Sequence, residues 1–230
     1  MYYEPGVSKH GLAYDPFKSC VVPRPIGWIS TTSREGVDNL APFSQFQNVG
    51  FDPPIVMFSA NQTTRGARKD SVVNAEATGA FVWNMATYDL REAVNISSEE
   101  LPASVDEFQR AGLNKLASTL IRPPRVAQSP VHFECAYLQT VRLPGNGAMG
   151  AVDVVFGRVL AIHIDDAVLR DGKLDIARVK PLARLGYYDY TCVDRVFTIP
   201  PPGSNEALKA GLEGAPDKVG LALATDGKSV

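Results

Sequence analysis

Along most of the chain, apolar positions recur every second residue rather than every third or fourth. Val131, Phe133, Cys135, Tyr137, Gln139 and Val141 fall on one side of an extended backbone, which predicts a long strand with that side largely buried. A second long run, Ala151 to Ile164, is rich in Val and Ile, and the lone Gly157 inside it predicts a bulge or tight bend. Shorter strands are expected at Ile26–Thr32, Ile55–Ser59, Phe81–Met85 and Val196–Ile199. Several short strands divided by turn signals point to a barrel or a sandwich.

Helical signals are fewer. Lys69–Thr78 offers Asp70 or Ser71 as a cap and Gly79 as a stop, and Tyr88–Ser97 offers Asp89 as a cap. A third helix is expected to open on a capping box, Ser104-Val-Asp-Glu107, and to end near Gly112. Their positions between strands suit helices that cover a barrel rather than βαβ crossovers. From Pro200 the sequence holds no aromatic residue and is rich in Pro, Gly and small residues. The expected division is therefore a domain over 1–200 and a C-terminal tail over 201–230, mobile or laid on a partner subunit.

Two nucleotide motifs fail on context. Gly145-Asn-Gly-Ala-Met-Gly150 has the spacing G-x-G-x-x-G, but a dinucleotide fingerprint opens a helix at its pyrophosphate. The run that follows, AVDVVFGRVLAIHID, is dominated by β-branched residues, so a glycine-rich hairpin turn is expected instead. Gly227-Lys-Ser229 lacks both the earlier glycine and the following helix of a P-loop.

Composition removes further classes. The 230 residues carry a formal net charge of −2, which provides no electrostatic pull towards nucleic acid or an anionic membrane. No run approaches about 18 apolar residues, and the first residues lack a signal-peptide pattern. Neither membrane spanning nor secretion is expected. Cys20, Cys135 and Cys192 are odd in number and far apart, so reduced thiols in a cytoplasmic protein are expected, with no zinc site. His10, His132 and His163 have no metal-ligand spacing, and no nucleophile elbow stands near them. No acid, base or nucleophile stands out as catalytic, a pattern that suits an enzyme whose cofactor carries the chemistry.

Two polar segments remain. Trp28–Phe46 gathers Ser30, Thr31, Thr32, Ser33, Asn39 and Ser44 around little charge, and Pro42 stiffens an extended run able to offer backbone groups to a planar heterocycle. Phe58–Ser71 places Arg65, Arg68 and Lys69 beside Thr63, Thr64, Asp70 and Ser71, where a helix is expected to begin. A phosphomonoester needs cations, hydroxyl or amide donors and preferably a helix N-terminus. The plainer alternatives are a solvated basic loop and an edge strand broken by proline.

The two segments, PRPIGWISTTSREGVDNLAPFSQFQNVGFDPPIVMFSANQ and RKDSVVNAEATGAFVWNM, together resemble the flavin reductase-like family of FMN-binding split barrels. GRVLAIHIDDAVL and ARLGYYDYTCVDRVF resemble its long barrel strand and closing strand, so the likeness runs from about Asp15 to Pro200. It implies a mainly β protein, an antiparallel split β-barrel with a few peripheral α-helices, dimerising with FMN in a cleft at or near the subunit interface. By resemblance, Ser30, Thr31 and Thr32 match positions near the ribityl chain and phosphate. Asn39, Leu40, Ala41 and Ser44 match the segment meeting the isoalloxazine edge, and Ser59 and Asn61 the next strand end facing the cofactor. Arg65, Lys69, Asp70 and Ser71 match the phosphate-side loop and helix start, with Asp70 capping the helix or orienting Lys69.

The implied activity is hydride transfer from NADH or NADPH to FMN. The alternative is an FMN-bound electron carrier reduced by a protein partner. Members that reduce free flavin with NADH often carry a histidine in the closing segment, which here reads Leu185-Gly-Tyr-Tyr-Asp-Tyr190, so nicotinamide use stays open. Another ligand in the same barrel, or a barrel that serves only as an interaction module, are the remaining readings.

Overall fold

In the computed structural model, residues 1–199 are described. Seven strands form one antiparallel sheet: β1 (Gly27–Thr32), β2 (Asp38–Phe43), β3 (Phe46–Phe51), β4 (Pro54–Asn61), β5 (Ala80–Asn84), β6 (Val131–Leu143) and β7 (Val152–Ile164). Their spatial order is β2-β1-β5-β6-β7-β4-β3. The sheet curls until its two ends meet through side chains. The Phe43 ring of β2 lies 5.0 Å from the Phe58 ring of β4, and Phe46 at the start of β3 stacks on Trp83 of β5 at 5.3 Å. β2 and β3 follow one another in the chain yet sit at opposite edges of the sheet, with no ladder between them.

Strand alternation divides the apolar residues into two cores. Ile29, Phe43, Phe58, Phe81, Trp83, Cys135 and Val155 fill the inside, joined by Val72 and Ala75 of helix α1 (Asp70–Thr78). Trp28, Leu40, Val94, Phe108, Val126 and Leu182 form a second cluster, which collects helices α2 (Arg91–Ile96) and α3 (Glu107–Arg110). With both faces covered, all six residues of β1 are buried. The closing strands β8 (Leu182–Gly186) and β9 (Asp189–Cys192) pair as a hairpin, and β8 also pairs with Arg24–Pro25.

The long hairpin forms as expected. β6 and β7 pair from Val131↔Ile164 to Leu143↔Val152, and Gly145–Gly150 makes the turn. A Cβ on Gly145 would overlap the backbone of Gly150, so the motif serves turn geometry. The register shifts between Phe156 and Gly157, and a Cβ at Gly157 would run into the Phe81 ring. Glycine is thus needed at the bulge to admit the core aromatic.

Several local expectations are corrected. Gln139 and Val141 are exposed, because β6 beyond Tyr137 pairs only with β7 among the described strands. Helix α1 has Lys69, not Asp70 or Ser71, at its N-cap position, with Gly79 in the left-handed region at its end. Tyr88–Leu90 is a 3-10 turn that leads into α2, and Asp89 does not cap it. Asp106 rather than Ser104 caps α3, accepting from the Phe108 N–H at 2.9 Å, which frees Glu107 for another role.

Met1–Arg195 is one compact unit that holds every element named above. Val196–Ile199, expected as a strand, forms none. The expected tail over 201–230, with Gly227-Lys-Ser229, lies outside the described residues. Among those described, no helix is long and apolar enough to cross a membrane.

Candidate functional site

A cleft of about 100 Å³ opens between the edge strand β2, the start of α1 and the segment after α2. Asn39, Ala41, Lys69, Asp70 and Ser71 of the expected site line it, together with Thr63, Ser97–Leu101 and Glu107. β2 brings its residues there because, among the described residues, it pairs with a strand on one side only, β1. α1 contributes its first turn, in which Val72 and Val73 already bond the Lys69 carbonyl. The N–H groups of Asp70 and Ser71 stand outside the helical ladder and point out of the helix start. Two larger cavities, about 480 Å³ beside Tyr88, Arg91 and Tyr190 and about 470 Å³ beside Arg125 and His163, hold none of the expected residues.

The hydroxyls of β1 do not act together. Ser30 and Thr31 face opposite sides, as neighbours in a strand must. The Ser30 hydroxyl donates to the Pro124 carbonyl at 2.5 Å, and that of Thr32 to Asp38 Oδ1 at 2.6 Å. Thr31 reaches the cleft only through Asn39, whose Oδ1 also accepts from the Ser71 hydroxyl at 2.7 Å. Ser44 and Ser59 lie beyond, at the corner where the Ser59 N–H donates to the Gln45 carbonyl. Asn61 donates to the Met149 carbonyl in the long hairpin turn. Arg65 is exposed in the Thr63–Ala67 turn. Arg68 is turned inward, forked onto Glu76 at 2.6 and 2.7 Å and bonded to buried Asp153 at 2.9 Å. Those two carboxylates raise its pKa well above the ordinary range, so its charge serves the fold.

Glu107 was not among the expected site residues, since the sequence placed it in a capping box. Its two oxygens accept from Asn39 Nδ2 and from the Leu40 N–H, each at 3.0 Å, and so fix the line of β2. Burial pushes its pKa up, against those bonds, and burial likewise raises Asp70, against the pull of Lys69. Glu100 was also missed. It accepts from the Thr64 N–H at 3.3 Å and the Thr64 hydroxyl at 3.0 Å, and pairs with Lys69 Nζ at 3.5 Å. The Thr64 backbone and hydroxyl bonds, with Lys69, hold its carboxyl below the usual range. No local pattern announces either contact, because the partners are separated by 31 to 68 positions.

Residues 19–191 match the flavin reductase like domain. This chain belongs to the flavin reductase like family. A relative from Aquifex aeolicus (strain VF5), itself uncharacterised, is 37% identical over 171 residues, 73% of this chain and 84% of its own length. Nitrilotriacetate monooxygenase component B from Bacillus cereus superposes with a TM-score of 0.79 at 27% identity, over 86% of this chain and 98% of that one. A structure with a split barrel domain from Shewanella frigidimarina NCIMB 400 shares the fold at a TM-score of 0.69 and 21% identity, over 81% of this chain and 90% of that one. The curled antiparallel sheet is therefore the split barrel that the sequence resemblance implied.

For a member of the flavin reductase like family, the chemistry of the cleft can be weighed against the flavin it would hold. A flavin phosphate needs a cation and several N–H or O–H donors at one place. Lys69 Nζ, the Thr64 N–H and the Thr64 hydroxyl already converge on one anion, the Glu100 carboxylate. That donor set fits a phosphate. A flavin ring does not fit inside about 100 Å³, well under the roughly 300–1,000 Å³ of small-molecule pockets.

Proposed function

We propose that this protein binds FMN with its phosphate at Lys69 and Thr64 and its ring along β2, and that it is an oxidoreductase taking hydride from NADH or NADPH. The observation that carries the reading is the meeting of three features in one cleft: the cationic Lys69, the first turn of α1 and an edge strand with its outer side free of a ladder. FMN, when bound, supplies the hydride and electron chemistry. The chain's own work is to bind, to orient and to shield.

Lys69 balances phosphate charge, and the Asp70 and Ser71 N–H groups add the positive end of the helix. Ser71, Asn39 and Glu107 form one buried chain of hydrogen bonds, which holds β2 in register for the ring's polar edge. Ala41 and Pro42 give that edge a small, stiff surface without a competing charge. Ser30, Thr31 and Thr32, on β1, act as support behind β2 in this reading, and Ser44, Ser59 and Asn61 border the ring's far side. A second copy of the chain, making a homodimer, would cover the open side of the cleft. Cys20, Cys135 and Cys192 are all free thiols, in keeping with work in the reducing cytoplasm.

The carrier alternative draws on Leu185–Tyr190, where tyrosines stand in place of a histidine. In that version the same FMN site is reduced by a protein partner rather than by a nicotinamide.

Fluorescence titration of the full chain with FMN tests the phosphate assignment. Lys69→Ala is expected to weaken FMN by about tenfold to a hundredfold, the worth of one charge-assisted hydrogen bond at about 1.5–3 kcal/mol. Wild-type affinity in that variant would move the phosphate elsewhere. Light scattering of the FMN-loaded protein is expected to give a dimer, and a monomer that retains FMN would contradict the shared cleft.

A further inference from the structure

Among the described residues Lys69 is the one cation lining the cleft, and it shares that lining with Asp70, Glu99, Glu100 and Glu107. Three of the four acids are committed elsewhere or held apart from Lys69 Nζ. Glu107 is buried against Asn39 and Leu40, Glu99 pairs with Arg110 at 3.2 Å, and Asp70 sits in the first turn of α1, where it feels the charge of Lys69 while the Lys69 ion pair goes to Glu100. Glu100 alone stands on the anion donors. Both of its oxygens bond Thr64, through N–H and hydroxyl, and one of them pairs with Lys69.

A carboxylate and a phosphate have the same demands, namely a cation and convergent N–H or O–H donors. Two anions do not share one ammonium group and one threonine without strong repulsion. Glu100 is exposed and lies between the end of α2 and Asp106, in a stretch without regular structure apart from turns, so it can leave without disturbing a sheet or helix.

Resting on the flavin reading above, we infer that Glu100 is an internal competitor for the phosphate subsite: its carboxylate occupies Lys69 and Thr64 until the phosphate of FMN displaces it. Glu100 therefore sets the affinity for phosphorylated flavin and leaves the affinity for unphosphorylated flavin alone. The consequence is selective. A flavin that carries a phosphate must outcompete the carboxylate, while the same ring without phosphate never meets it.

The test is a matched titration of the full chain with FMN and with riboflavin, for wild type, Glu100→Gln and Glu99→Gln. Glu100→Gln is expected to tighten FMN by about threefold to tenfold, the scale of releasing one exposed ion pair and its hydrogen bonds, and to leave riboflavin within twofold. Glu99→Gln removes the same charge from the same cleft and releases Arg110 but neither Lys69 nor Thr64, and is expected to change FMN by less than twofold. Unchanged FMN affinity in Glu100→Gln would overturn the inference. So would equal tightening by both variants, which indicates a general field, or equal tightening of FMN and riboflavin, which indicates a loop that merely blocks the ring. If wild type binds neither flavin, the flavin reading itself fails, an outcome distinct from the other three.

Discussion

Glu134 is fully buried in β6, and its loss is the sharpest test of how the barrel holds the segment behind β1. One oxygen accepts from the Thr119 N–H at 2.7 Å and from His163 Nε2 at 2.6 Å, and the other from the Leu120 N–H at 2.7 Å. The segment so anchored runs on to Pro124, whose carbonyl takes the Ser30 hydroxyl. In Glu134→Gln an amide NH₂ replaces one oxygen, so whichever way it turns, a backbone N–H faces a donor. An unmet buried donor costs about 1–3 kcal/mol, and the remaining bonds lose their charge assistance, so a total near 2–4 kcal/mol is expected. For a unit of this size that is a Tm lower by roughly 4–16 °C.

The effect has a pH signature. Burial alone would raise the Glu134 pKa, but the Thr119 and Leu120 N–H groups and His163 outweigh it and hold it below the ordinary range. A carboxyl with a depressed folded pKa stabilises above its unfolded value, about 4.3, and that stabilisation fades as pH falls through the folded value. The gap between wild type and Glu134→Gln in urea denaturation is therefore expected in full at pH 7 and to narrow below about pH 4. A gap under about 0.5 kcal/mol at pH 7, or one that does not narrow in acid, would refute this account of the anchor.

Two further stability predictions are independent of it. Gly157→Ala is expected to cost about 1–3 kcal/mol in chemical denaturation, because the added methyl must displace the fully buried Phe81 ring; a neutral result would mean that the bulge adapts freely. His132 bonds the Val126 carbonyl through Nε2 while its buried Nδ1 has no hydrogen-bond partner among the described residues, and burial lowers its pKa to about 4. Between about pH 6.5 and 4 the unfolded chain binds a proton that the folded one refuses, so wild type is expected to lose up to roughly 3 kcal/mol relative to His132→Gln over that interval, and parallel pH profiles would contradict it.

The long hairpin was legible because period-two alternation from Val131 to Val141 and a Val- and Ile-rich run from Ala151 to Ile164 both favour strands, and its glycines mark the turn and the bulge. Burial along it was not fully legible, since whether Val141 is covered depends on how far the neighbouring strands extend. The same alternation separates Ser30 from Thr31, so a shared role for the β1 hydroxyls conflicts with strand geometry itself. That Lys69, Asp70 and Ser71 share one cleft was legible because a helix start and a basic residue coincide locally. Glu107 was misassigned because Ser104 and Asp106 are both competent caps, and the choice was made by Asn39 and Leu40 far away in sequence. Arg68 read in the sequence as one more cation of the basic segment before α1. Its partners Glu76 and Asp153 meet only once α1 and β7 are in place.

The central claim is that the chain carries FMN and reduces it with a nicotinamide nucleotide. The direct measurement is the visible absorbance of the FMN-loaded full chain without oxygen, before and after NADH and then NADPH, with free FMN as the reference. The account predicts that one of the two nucleotides bleaches the bound flavin band far faster than it bleaches free FMN. A bound flavin that keeps its colour with both would contradict hydride transfer from a nicotinamide and leave the carrier, while a protein that binds no FMN would contradict the site itself.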